Sequence, residues 1–238
     1  MHQILFNHDD FIIVSKPVSL SVHCDDNLPG FTAQLSKELG TALFVVHRLD
    51  RVTSGLMIFA KSTKAAAAFG VLFETHKIGK YYLALSDSKP RKKQGTVQGD
   101  MKKSRRSAWM LQTSQVNPAI TRFFSKAVSG RRIFLLKPET GKTHQIRVAL
   151  KSLGSPIIGD PIYSSKTQHI GTVAKSEPSE VVNERCYLHA WQLHFDFAGQ
   201  TFSFRDDPQQ GALFSDKNVA SVLHEWSKPN ILKWSKNR

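Results

Sequence analysis

A carboxylate flanked by two arginines marks the most distinctive stretch of this chain, HRLDRVTSG at residues 47–55. Asp50 stands between Arg48 and Arg51, and a turn-forming Thr-Ser-Gly sequence follows it. The stretch alone allows two interpretations. The arginines could neutralise Asp50 in an ordinary surface ion pair, or Asp50 could be a carboxylate that does chemistry from a loop.

Other motifs in the chain suggest chemistry but fail on their spacing. TGKT at 140–143 looks like the end of a phosphate-binding loop, yet Leu136 stands where GxxxxGK[ST] requires its first glycine. HRLD looks like a kinase catalytic loop, but in that loop the aspartate directly follows the arginine. The ten histidines form no HExxH motif, and the spacing of His189 and His194 would place them on opposite faces of a strand. The sequence therefore predicts neither a nucleotide phosphate site nor a metal site.

The charge of the chain predicts a polyanionic partner. The 238 residues include 33 lysines and arginines against 19 aspartates and glutamates, a formal net charge of +14. Residues 89–106 concentrate this charge, with eight basic side chains and one acidic side chain. We interpret the segment as a basic loop whose Lys92, Lys93, Lys102 and Lys103 contact phosphates; the alternative is a solvated surface loop.

The cysteines and the apolar runs indicate the compartment. Cys24 and Cys186 are too few and too far apart to suggest a disulfide framework or a zinc site. The N-terminal sequence becomes acidic before a signal-like apolar region develops, and no apolar run reaches the ~18 residues of a membrane span. We therefore expect a cytoplasmic protein that does not interact with membranes.

The periodicity of apolar residues predicts the elements that must position these side chains. Strands and helices alternate irregularly, and most strands follow one another directly, which favours a mixed or antiparallel α+β fold over regular βαβ winding. No linker divides residues 1–238 convincingly, so we expect one domain, with 164–185 as a possible mobile insertion. Strands are predicted at 4–6, 11–17, 43–50, 56–61, 81–85, 107–114, 118–128, 132–138 and within 187–204, and helices near 31–39, 63–73, 143–153 and 219–226.

Separated segments of the chain carry a resemblance to a known family. They are SKPVSLSVH at 15–23, HRLDRVTSG at 47–55, KYYLA at 80–84, ETGKTHQIRV at 139–148, GSPIIGDPIY at 154–163 and LHA at 188–190. In order and spacing they resemble the RluA family of RNA pseudouridine synthases, in which HRLDxxTSG surrounds the catalytic aspartate and TGRxHQIR is a second signature. The resemblance extends from about Ile4 to about Phe204.

The resemblance implies a fold and a reaction. The fold would be a single pseudouridine synthase-like catalytic domain with a mixed, mostly antiparallel central sheet flanked by helices. The enzyme would isomerise uridine to pseudouridine in structured ribosomal or transfer RNA, without cofactor or metal. The uridine must leave its helix, which costs on the order of a few kcal/mol and least in loops, so loop uridines are the expected targets.

The catalytic residues follow from the same resemblance. Asp50 matches the catalytic aspartate, which could attack C6 of the base, attack C1′ of the ribose or remove a ribose proton. Arg147 matches the arginine that pairs with this aspartate, and such a cation would oppose the rise in pKa that burial causes. Tyr82 matches the family tyrosine, which can stack on the uracil and accept a proton from C5. Tyr81 would face the other way.

Further positions are expected to bind substrate. Arg48 would fill the space left by the flipped nucleotide or hold its phosphate, and Leu188 would form the floor of the uracil pocket. Lys142, His144 and Gln145 would start a helix whose free N–H groups favour a phosphate. For Arg48 and His144 a structural hydrogen-bonding role is the alternative.

Departures from the family pattern mark where this chain could differ. Lys16, Pro17, Val18 and Ser19 stand where the family usually reads KPxG, which affects the local turn. Lys142 replaces the usual arginine, so charge is kept while bidentate phosphate geometry is lost. Many relatives carry an N-terminal S4-type RNA-binding domain, whereas here the catalytic segments begin at once, so we expect RNA recognition to lie within the catalytic domain and its basic loop. We also expect a monomer. The competing hypothesis is a non-catalytic RNA-binding protein or RNA chaperone on the same scaffold.

Overall fold

The computed structural model describes residues 2–24, 29–164 and 185–235. These residues form a single α+β domain in which long strands predominate and helices cover the sheet. The strands are β1 (Gln3–Asn7), β2 (Phe11–Lys16), β3 (Phe44–Val45), β4 (Ser54–Ala60), β5 (Gly79–Ser86), β6 (Gln94–Gly99), β7 (Met101–Lys103), β8 (Trp109–Leu111), β9 (Ala119–Val128), β10 (Arg131–Pro138), β11 (Leu188–Phe197) and β12 (Gln200–Arg205). The helices are α1 (Phe31–Leu39), α2 (Thr63–Glu74), α3 (Gln145–Ser152) and α4 (Lys217–Glu225), with short 3-10 turns at Ala212–Ser215 and Pro229–Ile231.

The main sheet has the order β1-β2-β4-β11-β5-β10-β9-β6, with β12 beside β11 and β3 beside β4. β4 and β11 run parallel, and the other strand pairs of the described residues are antiparallel. β7 and β8 form a separate two-stranded ribbon. The mixed, mostly antiparallel sheet that the sequence predicts is therefore confirmed.

Local sequence signals explain several element boundaries. The Ser62 side chain accepts a hydrogen bond from Ala65 N at 3.1 Å and starts α2 as its N-cap. Gly40 ends α1 in the left-handed region, at φ 62°. β4 is buried along its whole length, which agrees with its continuous apolar sequence and its position between β2 and β11.

The basic segment 89–106 is not a loop throughout, so that prediction was wrong in part. β6 and β7 lie within it, and β6 pairs with β9 to form an edge of the main sheet. Val97 explains the difference, because this apolar residue is buried on the sheet while its neighbours remain accessible. The exposed lysines therefore lie on structured backbone at both ends of β6.

Another boundary differs from the sequence prediction. The apolar run 43–50 was expected to form a strand that reaches Asp50, but β3 spans only Phe44–Val45. The chain then turns, and Thr53 N donates to Asp50 O at 3.0 Å. Asp50 is consequently held by a turn and not by a strand end. Of the expected insertion at 164–185, residues 165–184 lie outside the described residues.

Candidate active site

Asp50 lies in the turn between β3 and β4, and a glycine sets the position of this turn against β11. Gly55 has a φ of 107°, and a Cβ atom there would approach Ala190 O to 2.2 Å. A side chain at this position would therefore separate the parallel strands β4 and β11. The glycine of HRLDRVTSG thus allows the turn that carries Asp50 to approach the strand that carries Leu188.

Arg147 connects Asp50 to a second carboxylate. Its Nη1 donates to Asp50 Oδ2 at 3.0 Å, while Nε and Nη2 donate to Asp160 Oδ2 and Oδ1 at 2.8 and 2.9 Å. The Asp160 side chain is fully buried, whereas 19% of the Asp50 side chain remains exposed. Arg147 is therefore fixed from behind by Asp160 and presents its remaining edge to Asp50 at the surface of a cleft.

The charge of Arg147 is secured by these partners. Burial opposes the charge, but the hydrogen bonds and negative charges of Asp160 and Asp50 outweigh it and raise the pKa of Arg147. Asp160 also accepts from Ile162 N at 2.9 Å and Tyr163 N at 3.1 Å, so its lone pairs are well used. The predicted pairing of Asp50 with Arg147 is present, and Arg48 is not the residue that pairs with Asp50.

Asp160 is a site residue that the sequence analysis did not select. The segment GSPIIGDPIY was quoted there, yet no role was given to its aspartate. Its only signal was a carboxylate between Gly159 and Pro161 in an otherwise apolar stretch. A buried carboxylate requires a cationic partner, and that requirement could have suggested the pair with Arg147.

The cleft around Asp50 has a volume of about 320 Å³ and contains Tyr82 and Leu188. Burial, with a smaller contribution from the charge of Asp50, raises the pKa of Tyr82, so this side chain is a phenol at neutral pH. Leu188 is 3% exposed and supplies an apolar surface. Tyr81 points away from the cleft toward Trp234, with ring centroids 6.0 Å apart, as the strand alternation predicts.

His144 stands beside Asp50 in a strained backbone conformation. Its φ of 57° lies in the left-handed region, and its Nε2 is 4.0 Å from Asp50 Oδ2. Burial and the charge of Arg147 lower the pKa of His144, so the ring is neutral at neutral pH. The Tyr163 hydroxyl accepts from Trp109 N at 2.8 Å and lies 2.9 Å from His144 Nδ1. Its proton is free to donate to Nδ1, which leaves the ring proton on Nε2, facing Asp50.

Gln145 is fully engaged within the protein. Its Oε1 accepts from Lys142 N and Thr140 Oγ1 at 3.0 and 2.7 Å, and its Nε2 donates to Ile120 O and Thr121 Oγ1 at 3.0 Å. These contacts use both donors and both acceptor positions of the amide. Gln145 therefore holds the loop before α3 in place and has no capacity left for RNA.

Lys142 and Arg48 are positioned differently from each other. Lys142 Nζ donates to Asn117 Oδ1 at 2.7 Å, and its backbone N–H is already bound by Gln145, so it is not one of the free N–H groups expected there. Arg48 lies on the wall between the Asp50 cleft and an adjoining cavity of about 310 Å³. That place allows its side chain to reach either space.

The lysines of the basic segment fall into two groups. Lys92 and Lys93 are exposed before β6, where Lys93 O accepts from Ser125 N at 2.7 Å. Lys102 and Lys103 are exposed on β7, in the ribbon that contacts the site through Trp109. The six residues of β6 separate the groups by roughly 17 Å. The second group is thus connected to the Asp50 cleft, and the first lies at the far end of the strand.

Lys16 is a further residue whose role the sequence analysis missed. It is 0% exposed, and its Nζ donates to Pro17 O at 2.8 Å, Leu20 O at 2.9 Å and Arg51 O at 3.4 Å. Burial lowers the pKa of Lys16 to about 7, although the charge of Asp50 opposes the change. Lys16 therefore joins the turn after β2 to the turn that holds Asp50. Ser19, where the family pattern has glycine, adopts a φ of 64° in that first turn.

The described part of the chain shows neither a metal-binding cluster nor a helix that could cross a membrane. No group of three or more histidine, cysteine, aspartate or glutamate side chains there could hold a metal ion. No helix within the described ranges is both long enough and apolar enough to span a bilayer.

Comparison with known proteins agrees with this geometry. The sequence profile of the RNA pseudouridylate synthase family matches residues 10–152. An uncharacterized RNA pseudouridine synthase of Haemophilus influenzae is 45% identical over 234 residues, which cover 97% of this chain and 99% of the relative. The chain belongs to the RNA pseudouridine synthases, of the RluA type, and is thus an isomerase that acts on RNA.

Two relatives have names that state a substrate. Ribosomal large subunit pseudouridine synthase D of Zymomonas mobilis is 30% identical over 209 residues, which cover 81% of this chain and 64% of the relative. tRNA pseudouridine synthase C of Haemophilus ducreyi is 30% identical over 211 residues, which cover 81% of this chain and 84% of the relative.

A solved structure shows the same fold. Human RNA pseudouridylate synthase domain containing 1 superposes with a TM-score of 0.71 at 20% sequence identity, and the match covers 96% of this chain and 95% of that one. The pseudouridine synthase-like fold expected from the sequence motifs therefore agrees with the fold of this solved structure.

Proposed function

We propose that this protein converts specific uridines of ribosomal or transfer RNA to pseudouridine, with Asp50 as its catalytic carboxylate. In this isomerisation the bond between C1′ and N1 breaks, the uracil turns, and a bond between C1′ and C5 forms. The C5 proton is lost and N1 gains a proton, so no oxidant, metal or cofactor is needed. The proposed enzyme acts as a monomer in the cytoplasm.

One observation supports this proposal above the others. Asp50 lies 3.0 Å from Arg147 Nη1 at the edge of a cleft that also contains Tyr82 and Leu188. Asp160 already balances the charge of Arg147, so the Asp50 carboxylate is not required to neutralise it. A non-catalytic RNA-binding protein would gain nothing from a second carboxylate facing a polyanion.

The other side chains complete the proposed mechanism. Tyr82 stacks on the flipped uracil, and Leu188 packs against the base from the floor of the cleft. Arg147 donates a hydrogen bond to the Asp50 carboxylate and thereby holds it in position at the edge of the cleft. Arg48 holds the phosphate of the flipped nucleotide. Because Tyr82 is a phenol, it can accept the C5 proton only after transferring its own proton to another group.

The decisive test is Asp50→Asn, assayed with RNA that carries tritium at C5 of its uridines. Release of tritium measures loss of the C5 proton, and wild-type protein is expected to release it. The Asn variant should release none while binding the same RNA within about twofold, since Asp50 is not a phosphate contact. Turnover by this variant would contradict the assignment.

Asp9→Asn is the matched control, because Asp9 is exposed in the turn between β1 and β2. This variant should retain wild-type tritium release. Mapping pseudouridines in total RNA from cells with and without the gene identifies the uridines that this protein modifies. RNA with 5-fluorouridine then shows whether a covalent adduct with Asp50 forms.

A further inference from the structure

A basic groove adjoins the Asp50 cleft. It has a volume of about 180 Å³ and shares Phe73, His76, Lys80 and Pro138 with the cleft. Three adjacent strands contribute a basic or imidazole side chain each, with His194 on β11, Lys80 on β5 and Lys137 on β10. The remaining lining includes Lys77 and Glu139.

Lys80 is the unusual residue of this groove. Within the described part of the chain its Nζ makes no hydrogen bond or ion pair, and it lies 5.6 Å from the centroid of the Phe73 ring. Burial lowers the pKa of Lys80, and the charge of Glu139 opposes this only in part. A partly desolvated ammonium with an aromatic ring on one side gains considerably from an anion on its open side.

The carboxylate of the groove does not serve as that anion. Glu139 Oε1 is 3.2 Å from Arg122 Nε and 3.3 Å from Lys137 Nζ. Two other cations thus share Glu139, which leaves the groove with a positive balance around Lys80. His47 packs against Phe73 with ring centroids 4.9 Å apart, and desolvation lowers its pKa to about 3, so it adds no positive charge to the groove at neutral pH.

The strand geometry relates Lys80 to the substrate. Lys80 and Tyr82 lie on the same face of β5, roughly 7 Å apart along the strand. When a uracil stacks on Tyr82, the backbone of the neighbouring RNA nucleotide would thus lie over Lys80. We propose that this groove binds a backbone phosphate of the single-stranded RNA that flanks the flipped uridine, with Lys80 as its central contact. The inference rests on the proposed function, since it uses Tyr82 as the site of the uracil.

The test measures binding of fluorescein-labelled decauridylate to the full chain across a series of salt concentrations. Lys80→Met keeps the apolar stem against Phe73 and removes only the charge. It should weaken binding about threefold to tenfold at 100 mM salt and reduce the slope of log affinity against log salt by about 0.7, the value for one phosphate contact on a single strand. Lys80→Arg should retain most of the affinity, and Glu139→Gln should strengthen binding because it removes the negative charge in the groove.

Lys64→Met is the matched control, because it removes the same charge from an exposed position at the start of α2. Lys64 is about 14 Å along that helix from Phe73. If Lys80→Met and Lys64→Met have equal affinities and salt slopes, the groove does not bind phosphate. Thermal unfolding of each variant shows whether a loss of binding reflects loss of the fold.

The binding result separates this inference from the proposed function. Decauridylate affinity does not depend on turnover, so it is measured equally well with Asp50→Asn. If wild-type protein forms no pseudouridine but Lys80→Met still lowers the salt slope, the proposed reaction fails and the phosphate site stands. If pseudouridine forms normally and the slope does not change, the phosphate site alone fails.

Discussion

Asp160 shows how one buried residue determines what an exposed residue can do. Its carboxylate receives two hydrogen bonds from Arg147 and is fully buried, so it fixes the guanidinium before any substrate arrives. Asp50 then meets a cation whose position and charge are already set. The two carboxylates therefore have different positions: Asp160 holds the arginine in place, and Asp50 faces the cleft.

Asp160→Asn should therefore impair catalysis more than RNA binding. The amide keeps the size of the side chain but cannot accept both hydrogen bonds of Arg147 as a charged partner does. We expect kcat to fall on the order of 10- to 100-fold. The free energy of unfolding should fall by about 3 kcal/mol, since one partner of a buried ion pair is lost. Tritium release and urea unfolding measure the two effects, and a variant with wild-type kcat would show that Asp50 does not depend on Asp160.

The sequence predicted the residues that carry motifs and missed those that depend on burial. Asp50, Tyr82 and Arg147 stand in short, specific patterns, and the structure brings all of them to one cleft. Asp160 and Lys16 acquire their roles only when distant segments fold over them, because burial is a tertiary property. Gln145 was expected to bind substrate, but its amide is used in contacts that stabilise the loop before α3.

At the scale of elements, a hydroxyl group links the β7–β8 ribbon to the loop that precedes α3. Tyr163 OH joins Trp109 N in β8 to His144 Nδ1 before α3. The ribbon also carries Lys102 and Lys103, so an RNA phosphate bound there would act on the element that holds His144. The sequence could not predict this connection, since it joins Trp109, Tyr163 and His144 from segments that meet only in the folded chain.

Tyr163→Phe tests this connection with little change in shape. The ring would keep its position near Arg147, 5.1 Å from the guanidinium carbon, but lose both hydrogen bonds of the hydroxyl. Because His144 Nδ1 loses its donor, nitrogen NMR should show the Nε2–H tautomer less populated. We expect kcat to fall roughly tenfold, the effect of one hydrogen bond of about 1.4 kcal/mol, with RNA affinity retained.

Tyr81→Phe is the matched control for that experiment, because Tyr81 faces Trp234 on the other side of β5. It should change neither kcat nor the His144 tautomer. If Tyr163→Phe gives the same tautomer and the same kcat as Tyr81→Phe, the hydroxyl group only supports packing.

At the scale of the whole molecule, two histidines, the buried His189 and the half-buried His47, connect stability to pH. Burial lowers the pKa of His47 to about 3 and that of His189 to about 4, so both are neutral in the folded protein at neutral pH. The unfolded chain binds protons to these histidines below about pH 6.5, whereas the folded protein does not. Their contribution to stability is therefore complete above that pH and is lost as the pH falls toward 4.

As the pH is lowered from 6.5 to 4, the free energy of unfolding should consequently decrease, and His189 should account for about 3 kcal/mol of the decrease. Urea unfolding at a series of pH values measures this decrease. His189→Asn should flatten the dependence, whereas His224→Gln should not, because His224 is exposed. An unchanged pH dependence in His189→Asn would assign the acid sensitivity to other groups.

The same scale shows what composition could and could not predict. The formal charge of +14 indicated a polyanionic partner, and the family that the chain belongs to acts on RNA. Composition did not indicate how the charge is distributed. In the folded chain Lys80, Lys92 and Lys102 lie in three separate places, and their separation depends on how β5, β6 and β7 pair.

The two segments that flank residues 165–184 contact each other directly. Tyr187 N donates to Ile158 O at 2.9 Å, and a Cβ atom at Gly159 would lie 2.0 Å from Arg185 O. Asp160 and Leu188 are therefore held in place by contacts made outside the intervening chain. Any side chain at Gly159 would therefore push these two segments apart and displace Asp160 and Leu188 together, so one small residue keeps two remote parts of the cleft in register.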